Sequence, residues 1–532
     1  RDFCLSRGLG DVYKRQYYLS IGLFLLFLAG FVVWLIYLAR YFHHRSLTIS
    51  APFPYWKRGG AVLIGACLIG LCIFGIRGRT GYNPIKVSAA YFCQDAFLNQ
   101  LGVSPTFNLL TSVMDDMRPE NKYLHLMDEQ EAITKAQALL NRPGDANVSP
   151  LAVYRHAAKA DSVQQRRPNV VLIMMESMSA KFMKHFGQSE TLTPFLDSLY
   201  TRSISFRNFY SAGIHTNHGL YATLYSFPAM MKRNLMKGSV IPRYSGLPTV
   251  LKENGYYNLF FMTHEGQYDN MNAFFRTNGY DEVFSQEDYP VDKVVNSFGV
   301  QDDFLYDYAI PVLNQRAATG QPFFATLLSI SNHPPYVIPP FFHPKTSEPE
   351  MQIVEYADWA LRQFFEEARK QPWFDNTIFV LEGDHGKLVG DAECELPESY
   401  NHIPLMIYSS RIQPEEKTAF GGQVDIQPTI LGLLNIDYLQ NNFGVDLLKE
   451  ERPCMFYTAD NMVVGRNDTL LYLYNYETQQ ELTYDIGNGK LNAVPMDDSF
   501  FPLKEYSFSM LQSAEFLVKH GKTLNSIPFT QQ

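Results

Sequence analysis

The stretch Arg167–Phe182, RPNVVLIMMESMSAKF, decides how the chain is read. Val170 to Met175 is an unbroken apolar run with β-branched members, the pattern of a strand buried on both faces. It stops at a carboxylate, Glu176, and small hydroxyl residues follow at Ser177 and Ser179. A buried carboxylate is costly unless an opposite charge or hydrogen bonds compensate it. The strand therefore asks for partners elsewhere in the chain.

Further strand-like runs alternate with amphipathic helical ones after Arg166. TPFLDSLYTRS follows the first strand, and GLPTVLKENG leads into YYNLFFMT. DDFLYDYAIPVLNQR precedes PFFATLLSIS, VEYADWALRQFFEEARK precedes NTIFVLEGD, and NHIPLMIYSS adds another strand. This alternation predicts an α/β domain over 166–450, a mainly parallel sheet flanked by helices. Ligands in such sheets bind beyond the carboxyl ends of the strands.

The residues at those ends are Glu176, His264 in FFMTHEGQYDN, His333 in SISNHPPY, and Asp384 with His385 in EGDHGK. Two carboxylates and an imidazole suit a divalent metal such as Mn²⁺, Mg²⁺ or Zn²⁺. Each alone has a plainer reading as a helix cap, a structural turn or a satisfied histidine. Thr216, in NFYSAGIHTNHGLYATLYSF, lies in a loop opened by Gly213 just before a helix. A hydroxyl there is normally a cap, yet a helix start also offers free N–H groups to a phosphate. A neighbouring cation would make that hydroxyl a nucleophile.

With 46% hydrophobic residues, 532 residues hold a sizeable core and more than one domain. The net charge of −9 gives no sign of a nucleic-acid partner. Cys4, Cys67, Cys72, Cys93, Cys394 and Cys454 form no Cys-x-x-Cys, so a cysteine zinc site is not expected. A Cys394–Cys454 disulfide stays open as an alternative in an oxidising compartment.

Residues 1–80 are expected to anchor the chain in a membrane, with spans over about 17–39 and 59–76. Residues 1–16, RDFCLSRGLGDVYKRQ, read as translated adapter sequence, and a chain starting at Arg1 reads as a fragment. Arg40, Arg45, Lys57 and Arg58 between the spans come without an acid, which places that loop in the cytoplasm and everything after Arg77 outside. Residues 81–165 read as a helical stalk. Residues 451–532 read as a small antiparallel subdomain closed by a helix, YSFSMLQSAEFLVKH.

The ordered set NVVLIMMES, TPFLDSL, SAGIHT, LPTVLKENGYYN, SNHPPY and EGDHGK, with the later VDIQPTILGLLNI, resembles the lipoteichoic acid synthase-like branch of the sulfatase/alkaline phosphatase superfamily. The resemblance runs from about Arg77 to about Leu448. It implies that Glu176, Thr216, Asp384 and His385 hold one Mn²⁺, with Thr216 as nucleophile. It also implies that His264 and His333 contact a glycerophosphate. Two departures bear on the substrate. His215 stands where those synthases tend to have lysine, and GQYDNMN replaces their Trp-x-Arg element, leaving Asp269 and Asn270 near that place.

An ordinary sulfatase needs Cys/Ser-x-Pro-x-Arg at the nucleophile, and HTNHG has neither Pro nor Arg at those spacings. The implied activity is transfer of a phospho-head-group, most simply glycerophosphate from phosphatidylglycerol. The acceptor is a glycan or glycolipid, and the route is a phospho-threonine with His333 moving a proton. Phosphoethanolamine transfer, phosphodiester hydrolysis and a catalytically silent lipid sensor are the alternatives.

Overall fold

A computed structural model describes residues 25–44, 54–80, 84–93, 96–118, 121–141, 153–158, 167–238, 241–487 and 490–525. The chain forms two compact units, 1–85 and 86–532. The expected residues 1–16, the start of the first span at 17–24, and Arg45 lie outside the described residues.

In the first unit, helices α1 (Leu25–His44) and α2 (Tyr55–Arg77) are each long and apolar enough to cross a membrane, with mean hydropathy 2.0 and 2.4. Their side chains, among them Leu26, Phe27, Val62 and Ile76, are exposed and not packed into a core. The second expected span falls inside α2. Gly78 ends that helix in the left-handed region (φ +76°), its amide donating to the Phe74 carbonyl, a conformation glycine adopts without a Cβ penalty.

The second unit begins with α3 (Ala96–Leu101), α4 (Pro105–Asp116) and α5 (Glu129–Leu140). Strand β1 (Tyr154–Ala157) follows, pairing far along the chain with β10 (Tyr438–Asn441). The eight strands of the main sheet are β2 (Asn169–Met175), β3 (Ile204–Tyr210), β4 (Tyr257–Met262), β5 (Glu282–Phe284), β6 (Phe323–Leu328), β7 (Thr377–Gly383), β8 (Leu405–Tyr408) and β9 (Glu415–Gly422). Their spatial order is β5-β4-β6-β2-β7-β8-β3-β9. Between them run α6 (Pro194–Tyr200), α7 (Thr216–Tyr225), α8 (Leu247–Glu253), α9 (Met271–Thr277), α10 (Asp302–Ala317) and α11 (Pro349–Ala368). Helix α12 (Ile426–Leu433) follows the last of them.

The opening stretch fixes the centre of this arrangement. Val170, Leu172 and Met174 of β2 enter one core, while Val171, Ile173 and Met175 enter another on the opposite face. That period-two division is what a strand covered on both sides requires. β6 and β7 flank β2 in parallel register, Met174 opposite Leu328 and Met175 opposite Gly383. Their carboxyl ends are therefore level, and Ser329, Glu176 and Asp384 emerge side by side.

The mainly parallel expectation holds with one exception. β8, the strand in NHIPLMIYSS, runs antiparallel to both β7 and β3. No helix beyond one turn at Glu398–Tyr400 intervenes between β7 and β8, and a chain that returns without a crossover helix comes back antiparallel.

The tail forms a five-stranded antiparallel sheet, β11 (Met455–Ala459), β12 (Met462–Arg466), β13 (Leu470–Asn475), β14 (Gln480–Asp485) and β15 (Asn492–Ala493). Helix α13 (Phe501–Lys519) packs on it. Part of the stretch read as a stalk belongs to this body. Ala132, Ile133, Ala136 and Leu140 of α5 are buried. Lys519 Nζ meets Glu129 at 2.9 Å, and the Leu126 amide donates to Gln512 Oε1 at 2.7 Å. An apolar helical stripe needs a partner surface, and α13 supplies one. The break at 142–150 and the boundary at 159–166 lie outside the described residues. Cys394 and Cys454 are both free thiols.

The tail is also tied to the sheet by a buried ion pair. Arg452 Nε donates to Asp425 Oδ2 at 2.8 Å, and its Nη1 donates to the Tyr506 hydroxyl at 2.6 Å. Both charges are essentially inaccessible to solvent. Asp425→Ala is expected to cost about 3–5 kcal/mol, because it strands a buried guanidinium. Urea unfolding of the full chain checks this, and a loss under about 1 kcal/mol would contradict it.

Candidate active site

Glu176 leaves β2 into a turn that would be strained without its contacts. Ser177 has φ +49°, in the left-handed region that non-glycine residues avoid. Its amide donates to Asp384 Oδ1 at 2.8 Å and its hydroxyl to Glu176 Oε1 at 2.7 Å. The Asn332 side chain donates to the carbonyls of Glu176 and Ser177, each at 3.1 Å. These bonds hold both carboxylates toward one point. Glu176 and Asp384 are buried and His385 is half-buried, and one ligand atom from each lies within 4.8 Å of the others.

The electrostatics of this point call for a cation. Burial, and after it the neighbouring Asp384 charge, pushes the Glu176 carboxyl well above the usual carboxylate range. Asp384 Oδ2 is buried with no hydrogen-bond partner, an uncommon state for a native polar atom. His385 Nδ1–H donates to the Gly386 carbonyl at 2.8 Å. That bond leaves the lone pair on Nε2, which lies 3.6 Å from Asp384 Oδ2 and 3.8 Å from Glu176 Oε1. Two oxygens and an imidazole nitrogen, one oxygen orphaned, fit a divalent metal.

Thr216 joins this group from a different element. It is the first residue of α7, and the residue at the cap position is His215. The Thr216 hydroxyl contacts Glu176 Oε2 at 3.4 Å and makes no cap bond to its own helix. Gly219, one turn on, allows this approach: a Cβ there would stand 2.3 Å from the Asp384 carbonyl oxygen. Gly219→Ala must push α7 away from the Asp384 loop. A drop of more than about tenfold in turnover is expected with the fold retained, since small misplacements at reacting atoms are expensive. Circular dichroism and initial rates check it, and an unchanged rate would show that the helix does not set the geometry.

His264 is buried, its Nδ1–H donating to the Glu265 carbonyl at 3.1 Å. The Nδ1–H of half-buried His333 donates to the Pro334 carbonyl at 2.6 Å. Burial lowers the pKa of both rings. Tyr268 and Phe298 lie between them, with ring separations of 4.7 Å for His264–Tyr268 and 4.0 Å for Phe298–His333. Asp269 and Asn270 sit in left-handed conformations, φ +46° and +68°. Asp269 pairs with Lys237 at 2.8 Å and accepts from the Asn217 amide at 3.2 Å. The Asn270 side chain is occupied by the Met236 carbonyl at 3.0 Å. Asp269 thus abuts the neighbour of Thr216, whereas the Asn270 amide serves the backbone.

Three further residues line this region. Lys387, at the end of EGDHGK, donates to Asn332 Oδ1 at 2.7 Å, and burial lowers its pKa to about 8. The strand-end rule covers it, but an ammonium group is not a metal ligand. His218 is fully buried without a partner for either ring nitrogen, and burial lowers its pKa to about 3. Asp460, in the β11–β12 turn, binds His215 Nε2 at 2.9 Å. Nothing in the sequence of the tail signals that its turn reaches the residue beside Thr216.

A sulfatase family model matches residues 168–436, half of the chain. The chain is 24% identical over 315 residues to lipoteichoic acid synthase 2 of Bacillus subtilis, covering 53% of this chain and 47% of that protein. It is 25% identical over 350 residues to lipoteichoic acid synthase 1 of the same organism, covering 60% and 53%. The chain thus spans about half the length of these relatives. Among solved structures, an alkaline phosphatase superfamily protein from Vibrio parahaemolyticus aligns with TM-score 0.68 and 26% identity over 77% of this chain and all of that one. A lipoteichoic acid synthase from Listeria monocytogenes shares the fold, with TM-score 0.59 and 19% identity over 73% and 98%. The chain belongs to the sulfatase family, and its relatives place it with the lipoteichoic acid synthase-like members of the alkaline phosphatase superfamily.

Proposed function

We propose that the chain is a membrane-anchored phosphotransferase that moves a glycerophosphate from a phospholipid to a glycan or glycolipid acceptor outside the cytoplasm. The observation that carries this reading is the Thr216 hydroxyl, turned to Glu176 at 3.4 Å beside a metal-compatible donor set. The likeness to lipoteichoic acid synthases supports the substrate class, with phosphatidylglycerol as the simplest donor.

Glu176, Asp384 and His385, with Thr216 beside them, would hold the cation, Mn²⁺ by family resemblance. Bound there, it supplies positive charge that acidifies the Thr216 hydroxyl and offsets charge on the phosphoryl oxygens. Thr216, its hydroxyl proton released to solvent, attacks phosphorus through the ionised Oγ1, and the bond from phosphorus to the diacylglycerol oxygen breaks. The start of α7 would add the partial positive charge of a helix N-terminus beside the phosphoryl group. His333 keeps its Nδ1–H on the Pro334 carbonyl, so Nε2 is the atom that carries a mobile proton. It gives that proton to the departing diacylglycerol oxygen and takes one from the acceptor hydroxyl, which then displaces Thr216 from phosphorus. Burial lowers the ring's pKa, so the charged ring gives up its Nε2 proton more readily while being less populated near neutral pH.

Helices α1 and α2 would be two spans of the anchor, with the basic loop between them inside the cell. The test of the reaction is diacylglycerol release from labelled phosphatidylglycerol by the full chain with Mn²⁺, with the fate of the glycerophosphate followed by mass spectrometry. Transfer to a glycolipid supports the proposal. Release of free glycerophosphate alone would make the protein a phosphodiesterase, and no release would remove the donor. A reporter fused after Gln532 tests the topology; activity inside the cytoplasm would overturn it.

A further inference from the structure

We propose that α4 is an interfacial helix that lies on the bilayer surface and holds the catalytic unit against anionic lipid headgroups. Its amphipathicity is inverted with respect to the protein. Phe107, Leu109, Leu110, Val113, Met114 and, just past its end, Met117 are all exposed, Leu110 and Met114 by 60% and 63%. The polar residues Asn108, Thr111, Ser112 and Asp115 occupy the half-buried side. A helix on an aqueous surface turns its apolar stripe inward. Contiguous exposed apolar surface of this kind marks contact with another apolar phase. Leu98 and Leu101 of α3 are also exposed.

Two observations commit the occupant to a bilayer. The chain reaches α4 shortly after α2, which ends at Arg77 and is long and apolar enough to cross a membrane. Along its polar edge α4 borders a cleft of about 940 Å³ lined by Arg118, Lys122, Lys232, Arg233 and Lys237, with Asp115 the lone acid among the lining residues. Arg118 pairs with Asp115 at 3.5 Å and Arg233 with Glu515 at 2.9 Å, which leaves the lysines to set the positive edge. An apolar stripe beside a cationic border matches acyl chains lying beneath phosphate groups, the arrangement of helices that rest in the membrane interface. Lys237 also connects the cleft to the site through Asp269 and Asn217, the neighbour of Thr216. A lipid phosphate held in the cleft would therefore stand on the approach to the nucleophile.

The test uses the full chain reconstituted in lipid nanodiscs that contain a diazirine on an acyl chain, with adducts located by peptide mass spectrometry. Discs of phosphatidylcholine alone are compared with discs that also contain phosphatidylglycerol. The wild type should label 105–118 at a yield approaching that of Tyr55–Arg77, and more strongly when phosphatidylglycerol is present. Leu110→Glu with Met114→Glu should lower the 105–118 yield several-fold and leave the Tyr55–Arg77 yield unchanged. Arg118→Gln with Lys122→Gln should remove most of the gain from phosphatidylglycerol. Wild-type labelling of 105–118 no higher than that of α11, Pro349–Ala368, would overturn the proposal. So would protection of 105–118 in a chain that light scattering shows to be a dimer, because a second copy would then cover the face. Labelling is read without turnover and can be repeated in Thr216→Ala, so failure of the proposed reaction would leave this result standing.

Discussion

Thr216→Ala is expected to lose diacylglycerol release by about a thousandfold or more, on the order of 4 kcal/mol of transition-state stabilisation. Circular dichroism and thermal midpoint should stay near those of the wild type. The expectation follows from the geometry of the hydroxyl. A threonine that merely capped α7 would bond back to the helix amides, and its loss would cost about 1 kcal/mol of stability with no particular effect on rate. The Thr216 hydroxyl instead faces Glu176 Oε2, and the cap position belongs to His215. The proposed route offers no other group to form the covalent intermediate, so alanine removes the step outright. Thr216→Ser should keep part of the rate, because its hydroxyl can occupy the same place. Mass spectrometry of the wild type after brief exposure to phosphatidylglycerol and Mn²⁺ should find a glycerophosphate on the peptide containing Thr216. Equal release by wild type and Thr216→Ala would leave the residue with a structural role alone.

The fold was legible wherever one strand carried its own pattern. Val170–Met175 announced burial on both faces, and its residues do divide between two cores. The direction of β8 was not legible, because direction depends on how the chain returns from β7 and the strand NHIPLMIYSS reads the same either way. The strand-end rule brought Glu176, Asp384 and His385 to attention because each follows β2 or β7 directly and the register makes those ends level. It served Thr216 less well. That residue reaches the group through the packing of α7 on the Asp384 loop, and only Gly219, as a glycine inside a helix, hinted at a close approach. Asp460 was invisible for the same reason. Its contact with His215 joins residues far apart in the chain, and a turn aspartate in an antiparallel tail carries no mark of such a partner. The outward apolar face of α4 was hidden in a different way. Helical periodicity can be read from sequence, but which side faces the protein cannot.

Removing either buried carboxylate should separate the cost of the empty site from the gain of filling it. In metal-free protein, burial and after it the Asp384 charge raise the Glu176 pKa well above the usual carboxylate range. A carboxyl whose folded pKa is raised contributes stability at low pH that is lost as pH rises through and above the ordinary carboxylate range. Glu176→Gln keeps the shape of the side chain and removes the titration. The metal-free variant should therefore be at least as stable as wild type near neutral pH, as when a buried charge is replaced by a neutral group of similar volume. Metal reverses the order. Its binding requires the ionised carboxylate, so the wild type should gain thermal stability on addition of Mn²⁺, more at higher pH as proton competition fades. The gain should approach about 2.7 kcal/mol at a hundredfold excess over the dissociation constant. Glu176→Gln and Asp384→Ala should lose most of that gain. The expected signature is a crossing, with the Glu176→Gln variant level or ahead without metal and behind with it. Thermal scans with and without Mn²⁺ on the full chain read it directly. If both variants keep an undiminished metal-dependent shift, the donor set is misassigned, and the acidification of Thr216 by a cation held there falls with it.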